Sequence, residues 1–200
     1  MMEIIAHRIN KISELKNLPK AYGAEVDLRA SGSKIILNHD PYKKGDNFIN
    51  YLENYDNGTI VLNIKEAGIE QDVIKLVKKF KIKDYFLLDV EIPLICKNNS
   101  NFKKYMSLRF SEYESIETVK NLINKASWIW IDTFNKLPLN KNNIKILDKF
   151  KSCLVCPERW GRPYDIKKYY NILKKLNFFP KSVMTSKKYA KKWEELFFNF

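Results

Sequence analysis

The sequence has 200 residues, of which 45% are apolar and 14% aromatic, and this composition excludes an intrinsically disordered chain. It carries 36 Lys and Arg against 23 Asp and Glu, a formal net charge of +13. This charge is compatible with a nucleic acid, an anionic membrane surface or a phosphorylated substrate as partner, but lysines scattered through helix-like segments favour a solvated helix surface over a nucleic-acid footprint. No apolar run of the sequence reaches the roughly 20 residues that span a bilayer.

A chain of this length buries enough surface for one core, so we expect a single domain over residues 1–200. The first residues show neither a basic leader nor a long apolar stretch, which predicts a cytoplasmic protein. The three cysteines are too few for a disulfide framework. Cys153 and Cys156 are spaced as C-x-x-C within an apolar run, so we interpret them as buried strand residues rather than as zinc or redox ligands.

Short runs rich in β-branched and aromatic residues alternate along the chain with longer segments of helical spacing. In chain order, the predicted strands are Glu3–His7, Ala24–Leu28, Lys34–Asn38, Thr59–Ile64, Tyr85–Asp89, Met106–Phe110, Trp128–Ile131, Ser152–Cys156 and Ser182–Thr185. The predicted helices are Ile12–Leu18, Ile69–Phe80, Ile116–Asn124, Asn143–Phe150, Asp165–Leu176 and Lys188–Phe198.

This alternation predicts a parallel sheet, because parallel neighbours need a crossover of about a dozen residues. Once the hairpin-like strand Lys34–Asn38 is set aside, about eight repeats of strand and helix remain, the number that closes a barrel. The predicted fold is therefore α/β, a compact (β/α)₈ TIM barrel. An open doubly wound sheet is the alternative, but the glycines are too far apart to form its phosphate-binding loop.

Polar side chains end almost every predicted strand, where a barrel would gather them around one mouth. Both histidines of the chain, His7 and His39, are among them. Glu25 and Asp27 are two residues apart on a strand, so their carboxylates share one face. Such a pair calls either for a hard cation, Mg²⁺ or Ca²⁺, or for a metal-free salt network with neighbouring Arg and Lys side chains.

Three segments resemble the signature of the glycerophosphodiester phosphodiesterase family, within the wider superfamily of phosphatidylinositol-phospholipase-C-like barrels. They give the family's H-R, E-x-D and H-D pattern in order, as Ile5-Ala6-His7-Arg8, Gly23-Ala24-Glu25-Val26-Asp27-Leu28-Arg29 and Ile36-Leu37-Asn38-His39-Asp40-Pro41. The resemblance covers the first third of the chain closely, and beyond it only the rhythm of strands and helices supports it.

The resemblance implies a phosphodiesterase in which His7 and His39 are the general acid and base. It also implies that Glu25 and Asp27 hold a divalent cation, Mg²⁺ or Ca²⁺. The family's third metal ligand is a glutamate in an E-x-K segment, where this chain has Asn63. We expect this change to weaken the binding of the ion, to favour Mg²⁺ held mostly through water and substrate, or to leave the site without a metal.

Basic side chains would bind the phosphate, since a guanidinium or ammonium group matches its charge and its oxygens. The candidates are Arg8, Lys65, Arg29, Arg109 and Arg162. Arg162 lies in the loop after the seventh barrel strand, a frequent phosphate site in this architecture. Glu158, in the same loop, would orient Arg162 or bind a substrate hydroxyl.

Only the segment from Tyr42 to Gly58 separates the H-D motif from the next barrel strand, which is too short for the substrate-covering subdomain that the family commonly inserts. We therefore expect an open mouth, which suits a large or membrane-attached substrate as well as free glycerophosphodiesters. Aromatic side chains near the mouth either stack on sugar or glycerol faces or pack in the core, and these are Tyr42, Trp130, Phe134, Trp160 and Tyr164. The terminal helix is either a basic and aromatic interfacial helix or the last barrel helix.

The sequence therefore favours a metal-assisted phosphodiesterase that cleaves glycerophosphodiester-type or glycan- and glycerol-phosphate diesters, by attack of water or of a neighbouring substrate hydroxyl. The alternative is a barrel that binds a phosphorylated ligand without turnover or serves in polysaccharide biosynthesis. Nucleic-acid binding through the net positive charge is a third, less favoured hypothesis, because no nucleic-acid motif accompanies the lysines.

Overall fold

The computed structural model describes residues 2–97 and 100–198. These residues form a mixed α/β fold around one large sheet. Its strands are β1 (Glu3–Ala6), β2 (Gly23–Ser31), β3 (Lys34–Leu37), β4 (Asp46–Asn47), β5 (Ile60–Ile64), β6 (Tyr85–Leu88), β7 (Ser107–Phe110), β8 (Trp128–Ile131), β9 (Lys151–Val155) and β10 (Ser182–Thr185). Every predicted strand is present, whereas the two-residue strand β4 was not predicted.

Helices connect most of the strands. They are α1 (Ile12–Lys16), α2 (Phe48–Glu53), α3 (Glu70–Lys79), α4 (Ile92–Lys97), α5 (Ser100–Lys103), α6 (Ile116–Asn121), α7 (Ile144–Leu147), α8 (Asp165–Leu176) and α9 (Ala190–Phe198), with 3-10 helices at Pro157–Trp160 and Lys187–Tyr189. Helix α8 has the predicted bounds, helices α6 and α7 are shorter than predicted, and helices α2, α4 and α5 were not predicted. Helix α2 begins after Asn47, whose side chain accepts hydrogen bonds from the N–H groups of Ile49 and Asn50.

The parallel strands pair in the order β7-β8-β9-β10-β1-β2-β5-β6. An isolated parallel bridge between Leu87 of β6 and Met106, the residue before β7, joins the two ends of this order. Two hydrogen bonds accompany it, from Leu87 N–H to the Tyr105 carbonyl at 2.7 Å and from Ser107 Oγ to the Leu87 carbonyl at 2.7 Å. Strand β3 pairs antiparallel with the end of β2, which confirms that Lys34–Asn38 is a hairpin strand outside the parallel series.

The two faces of the sheet contribute to different clusters, because successive side chains of a strand point to opposite sides. Ile4 and Ala6 of β1 belong to the large core between sheet and helices, whereas Ile5 belongs to a smaller cluster. The smaller cluster contains Ile5, Val61, Phe86, Leu88, Trp128, Trp130, Cys153, Val155 and Met184, which come from six different strands. In register, Glu25 lies beside Val61 and Asp27 beside Asn63, so the acidic pair faces the side of this smaller cluster.

The prediction of buried cysteines is confirmed: Cys153 lies in β9, Cys156 follows it, and both are buried and free. Burial raises the pKa of both thiols well above their usual range. In the terminal helix α9, Trp193 is buried in the large core, with Leu196 and Phe197 packed against it, as expected for a last helix on the sheet. Among the described residues, none of the helices has the length and apolar character needed to cross a membrane.

Candidate active site

A cavity of about 320 Å³ lies at the carboxyl ends of the parallel strands, and we call it the strand-end cavity. It contains side chains from successive strands and the loops after them, as expected for parallel strands that end at one edge. Predicted site residues that line it are His7, Arg8, Glu25, Asp27, His39, Asn63, Lys65 and Arg109. Residues distant in sequence therefore converge on one small space.

The acidic pair is buried and already holds hydrogen bonds from the protein. Glu25 accepts one from the Asn63 side-chain amide at 2.8 Å and one from the Arg8 N–H at 2.9 Å. Asp27 accepts one through Oδ2 from the Asn10 side-chain amide at 2.8 Å, and Asn10 Oδ1 accepts the Asp27 N–H at 2.8 Å. Burial and the charge of Asp27 raise the pKa of Glu25 to about 7.

Lys65 bridges two strand ends. Its ammonium nitrogen lies 3.5 Å from Asp27 Oδ1 and 3.7 Å from Asp89 Oδ2, and its side chain is only 18% exposed. Asp27 Oδ1 is buried and has no hydrogen-bond partner among the described residues. The Lys65 ammonium is therefore the group that compensates this oxygen.

His7 lies on the loop after β1, where its N–H donates to the Thr185 carbonyl at 3.0 Å and fixes the backbone to β10. Its Nε2 lies 4.0 Å from Glu25 Oε2, and its side chain is 14% exposed. Burial and the nearby positive charges of Arg159 and Arg8 lower the pKa of His7 to about 3. The ring is therefore neutral at neutral pH.

His39 lies on the loop after β3 and is more exposed to solvent than His7, with 41% of its side chain exposed. Its Nδ1 is 2.9 Å from Asp40 Oδ1, and this hydrogen bond lowers the pKa of the Asp40 carboxyl. The loop is fixed to the strand below it, because Asn38 N–H donates to the Asp27 carbonyl at 3.0 Å. Because Nδ1 is engaged with Asp40, Nε2 is the ring nitrogen left to face a substrate.

Arg8 turns the chain between His7 and the rest of the loop with φ of +52°, a left-handed conformation that a residue with a side chain rarely adopts. Its Nε lies 3.9 Å from Asp27 Oδ2, and 41% of its side chain is exposed. The strained turn lets the Arg8 N–H reach Glu25 while its guanidinium stays at the cavity mouth.

Arg109 lines the strand-end cavity, but its guanidinium is engaged by two carboxylates. It donates to Asp89 Oδ1 through Nε at 3.2 Å and through Nη2 at 2.6 Å, and to Asp132 through Nη1. Asp132, which is buried, also accepts hydrogen bonds from the indole N–H of Trp160 at 3.0 Å and of Trp130 at 3.4 Å. Arg109 therefore holds the wall of the cavity together.

Three of the predicted substrate-binding residues do not line the strand-end cavity. Arg29 donates to the carbonyls of His39 and Lys65, at 3.0 Å and 3.1 Å, so it ties together the two loops behind the cavity. Glu158 accepts a hydrogen bond from the Thr185 hydroxyl, and burial raises its pKa. Arg162 donates to backbone carbonyls and does not line the cavity.

Arg162 donates to the carbonyls of Thr133 and Phe134, while the neighbouring Arg159 lines the cavity instead. Sequence reasoning missed Arg159. The reason is the 3-10 helix Pro157–Trp160 and the left-handed Gly161 (φ +73°) after it, which turn the two arginines in different directions. Burial, followed by the charge of Arg8, lowers the pKa of Arg159, so two guanidinium groups face one small space.

The aromatic candidates divide in the same way. Trp130, Phe134 and Trp160 line the strand-end cavity, and the rings of Phe134 and Trp160 have centroids 4.6 Å apart. Tyr42 and Tyr164 are fully exposed and do not line it. The aromatic side chains at the cavity thus form one wall, on the side of Asp132.

Mg²⁺ and Ca²⁺ take six or more oxygen ligands, mostly charged carboxylates and water. Among residues 2–97 and 100–198, no group of three His, Cys, Asp or Glu side chains is placed to hold a metal ion. The Asn63 amide directs its nitrogen, not its oxygen, to Glu25, and Lys65 faces Asp27. The residues present therefore do not fit the divalent cation that the resemblance implies.

No protein-family model matches the sequence, and no curated protein matches it. Solved structures do match its fold. A glycerophosphodiester phosphodiesterase from Agrobacterium tumefaciens superimposes with a TM-score of 0.62 at 13% identity, over 92% of this chain and 96% of that one. A phosphodiesterase from Oleispira antarctica, in complex with the product sn-glycerol-3-phosphate, gives a TM-score of 0.64 at 14% identity, over 97% and 96% of the two chains.

The chain shares the fold of these phosphodiesterases. A glycerophosphoryl diester phosphodiesterase from Parabacteroides distasonis also superimposes on it, with a TM-score of 0.63 at 10% identity over 93% of this chain and 82% of that one. The likeness that the three motifs predict is thus confirmed at the level of the fold.

Proposed function

We propose that this protein is a phosphodiesterase of the glycerophosphodiester type, which cleaves a P–O bond of a small or polymer-linked phosphodiester. One observation carries the proposal: two histidines from separate loops line, with Arg8, Lys65 and Arg159, a cavity of about 320 Å³ at the carboxyl ends of parallel strands. Acid–base groups and anion-binding groups in one cavity are what a phosphoryl transfer needs. The shared fold with three solved phosphodiesterases supports the assignment.

We propose further that the eight parallel strands form a closed (β/α)₈ barrel. The bridge between Leu87 and Met106, which joins the ends of the strand order, supports closure. The smaller core cluster supports it as well, because its side chains come from strands on all sides.

The phosphate would be bound by the cationic side chains that no close carboxylate saturates. These are Arg8, Lys65 and Arg159, which all line the strand-end cavity and whose charges all lower the pKa of His7. Arg109 is not among them, because Asp89 and Asp132 already occupy its donors. Its role is to hold the aromatic wall in place, against which the alcohol group of the substrate would pack.

His7 would accept the proton of the attacking hydroxyl, because its ring is neutral in the empty cavity and the negative charge of a bound phosphate would raise its pKa toward that of an effective base. His39 would protonate the leaving oxygen, since it lies at the more exposed rim, with Asp40 fixing its ring through Nδ1. The attacking oxygen then forms a bond to phosphorus, the bond from phosphorus to the leaving oxygen breaks, and its electron pair stays on the leaving oxygen, which takes the proton. Both water and a hydroxyl of the substrate itself are compatible attackers.

The proposal is tested by incubating the full chain with glycerophosphodiesters and measuring release of sn-glycerol 3-phosphate or of a cyclic phosphate. His7→Ala and His39→Ala should each lower turnover about a hundredfold or more, because each removes a proton-transfer group. Tyr42→Ala is the matched control, since Tyr42 is fully exposed and lies outside the cavity. Turnover that survives in both histidine variants would exclude the proposed chemistry.

A second candidate is a protein that binds a phosphorylated ligand without cleaving it, and the replacement of the family's glutamate by Asn63 favours it. It predicts that sn-glycerol 3-phosphate binds the full chain while no diester is cleaved with or without added Mg²⁺ or Ca²⁺.

A further inference from the structure

The charges around the strand-end cavity are unequally paired. Arg109 is neutralised by Asp89 and Asp132 through direct hydrogen bonds. Arg159 has no salt bridge within 4 Å in the described part of the chain, and Arg8 approaches an acid only at 3.9 Å. Two guanidinium groups that repel each other in a small cavity are stabilised when an anion binds between them.

The acidic pair is compensated from within the protein. Each oxygen of Glu25 accepts a hydrogen bond, from the Asn63 amide and from the Arg8 N–H. In Asp27, Oδ2 accepts one from Asn10, and Oδ1 faces the Lys65 ammonium at 3.5 Å. Two crowded carboxylates would otherwise need a cation. Here three of their four oxygens accept a hydrogen bond from an N–H donor, and the fourth, Asp27 Oδ1, faces the Lys65 ammonium.

Asn63 decides the number of negative charges at this point. It lies in register beside Asp27 on the neighbouring strand, and its amide nitrogen is 2.8 Å from Glu25 Oε1. A carboxylate at position 63 would put a third negative charge against the pair, which a bound cation or protonation of one of the acids would have to relieve. The amide instead donates a hydrogen bond to Glu25, which lowers the need for a metal.

We propose that in this protein Lys65, together with Arg8 and Arg159, takes the place of a divalent cation in binding and neutralising the substrate phosphate, so that anion binding and turnover require no metal. The inference rests on the proposed function, since it concerns how the same cavity binds its phosphodiester. Lys65 is suited to this role because its ammonium lies between Asp27 and Asp89 and lines the cavity. It holds the acids when the cavity is empty and faces the phosphate when it is filled.

The test is a calorimetric titration of sn-glycerol 3-phosphate into the full chain in buffer containing EDTA. We expect binding to be the same with EDTA as with added Mg²⁺ or Ca²⁺. Lys65→Met and Arg159→Met should each weaken binding about tenfold or more, because each removes a charged donor to the phosphate. Lys75→Met is the matched control, because Lys75 is exposed on helix α3 and pairs only with the exposed Asp72.

A second measurement uses Mn²⁺ as a spectroscopic probe, read by electron paramagnetic resonance. The wild-type chain should leave Mn²⁺ free in solution, whereas Asn63→Asp should bind it, since the variant supplies the third carboxylate. The wild-type measurement decides the matter even if the variant does not fold. Wild-type protein that binds Mn²⁺, and that loses sn-glycerol 3-phosphate binding in EDTA, would overturn the inference.

The outcomes separate this inference from the proposed function. Diester cleavage that EDTA abolishes and Mg²⁺ restores would overturn the inference and leave the phosphodiesterase assignment standing. Binding of sn-glycerol 3-phosphate in EDTA without cleavage of any diester would refute the phosphodiesterase assignment and leave metal-free anion binding standing. A chain that neither binds sn-glycerol 3-phosphate nor cleaves a diester would refute both.

Discussion

On the β1, β2 and β5 side of the strand-end cavity, charged groups stand 3.5 to 3.9 Å apart, in the pairs of Asp27 with Lys65 and with Arg8. On the β7 and β8 side, they are directly hydrogen-bonded, as in the network of Arg109 with Asp89 and Asp132. The first side contains donors that remain available to an incoming anion. The second contains donors whose partners are fixed.

Two similar residues, Arg109 and Lys65, therefore have different roles at the cavity. Arg109 and Lys65 both lie at strand ends and both line the cavity. Only Lys65 lies at distances longer than a normal hydrogen bond from its acidic partners, so its N–H donors are committed to neither carboxylate and can be offered to a phosphate oxygen. This comparison can be tested by removing each charge in turn.

The largest expected effect on stability comes from Arg109→Met. Breaking the network would leave Asp132 buried with its charge uncompensated, so the free energy of unfolding should fall by about 3 kcal/mol. Urea unfolding monitored by tryptophan fluorescence measures this, since Trp130 and Trp160 are hydrogen-bonded to Asp132 and report a change in its surroundings. A loss no larger than that of an exposed lysine variant such as Lys75→Met would contradict the comparison.

Lys65→Met should have a smaller effect on stability. The ammonium is partly exposed and its partners are at 3.5 Å and 3.7 Å, so we expect a loss of about 2 kcal/mol, between the values for exposed and buried pairs. Unlike Arg109→Met, this variant should affect sn-glycerol 3-phosphate binding more than folding. If urea unfolding shows a greater loss for Lys65→Met than for Arg109→Met, the two sides have been assigned the wrong way round.

Much of the fold follows from the sequence, because strand and helix periodicity is a local property. The two-residue spacing of Glu25 and Asp27 correctly places both on the face opposite Val26 in the large core. The motifs that contain His7 and His39 also converge as expected. Helix α2 escaped prediction although Asn47, a good N-cap, stands before it, because its six residues are too few to show a helical period.

The parts of the site that escaped prediction depend on contacts between strands or on the turn of a single loop. Asp132 follows β8 and forms its network with Arg109 of the neighbouring strand β7. The register between two strands cannot be predicted from the sequence of either strand alone. Arg159 and Arg162 have the same chemistry and nearly the same position in sequence. Only the 3-10 helix and the left-handed Gly161 decide which of them faces the cavity.

The smallest expected effect is on the pH dependence of stability. Burial and nearby cations lower the pKa of His7 to about 3, whereas in the unfolded chain it keeps its ordinary value of 6.5. Between these two values the unfolded state binds more protons, so this residue makes the protein less stable as pH falls below 6.5. Glu25 acts in the opposite sense, because its pKa of about 7 lies above the unfolded value of 4.5 and its contribution is lost as pH rises between the two.

His7→Gln removes the first contribution and keeps the second. Relative to wild type, the variant should therefore gain about 1 kcal/mol in free energy of unfolding when the pH is lowered from 6.5 to about 5.5, measured by urea unfolding at the two values. His39→Gln is the control, because this ring is more exposed and lies at the rim of the cavity. A difference between wild type and His7→Gln that stays constant with pH would mean that His7 keeps its ordinary pKa in the folded protein. In that case the side of the cavity formed by β1, β2 and β5 would be more open to solvent than its geometry indicates.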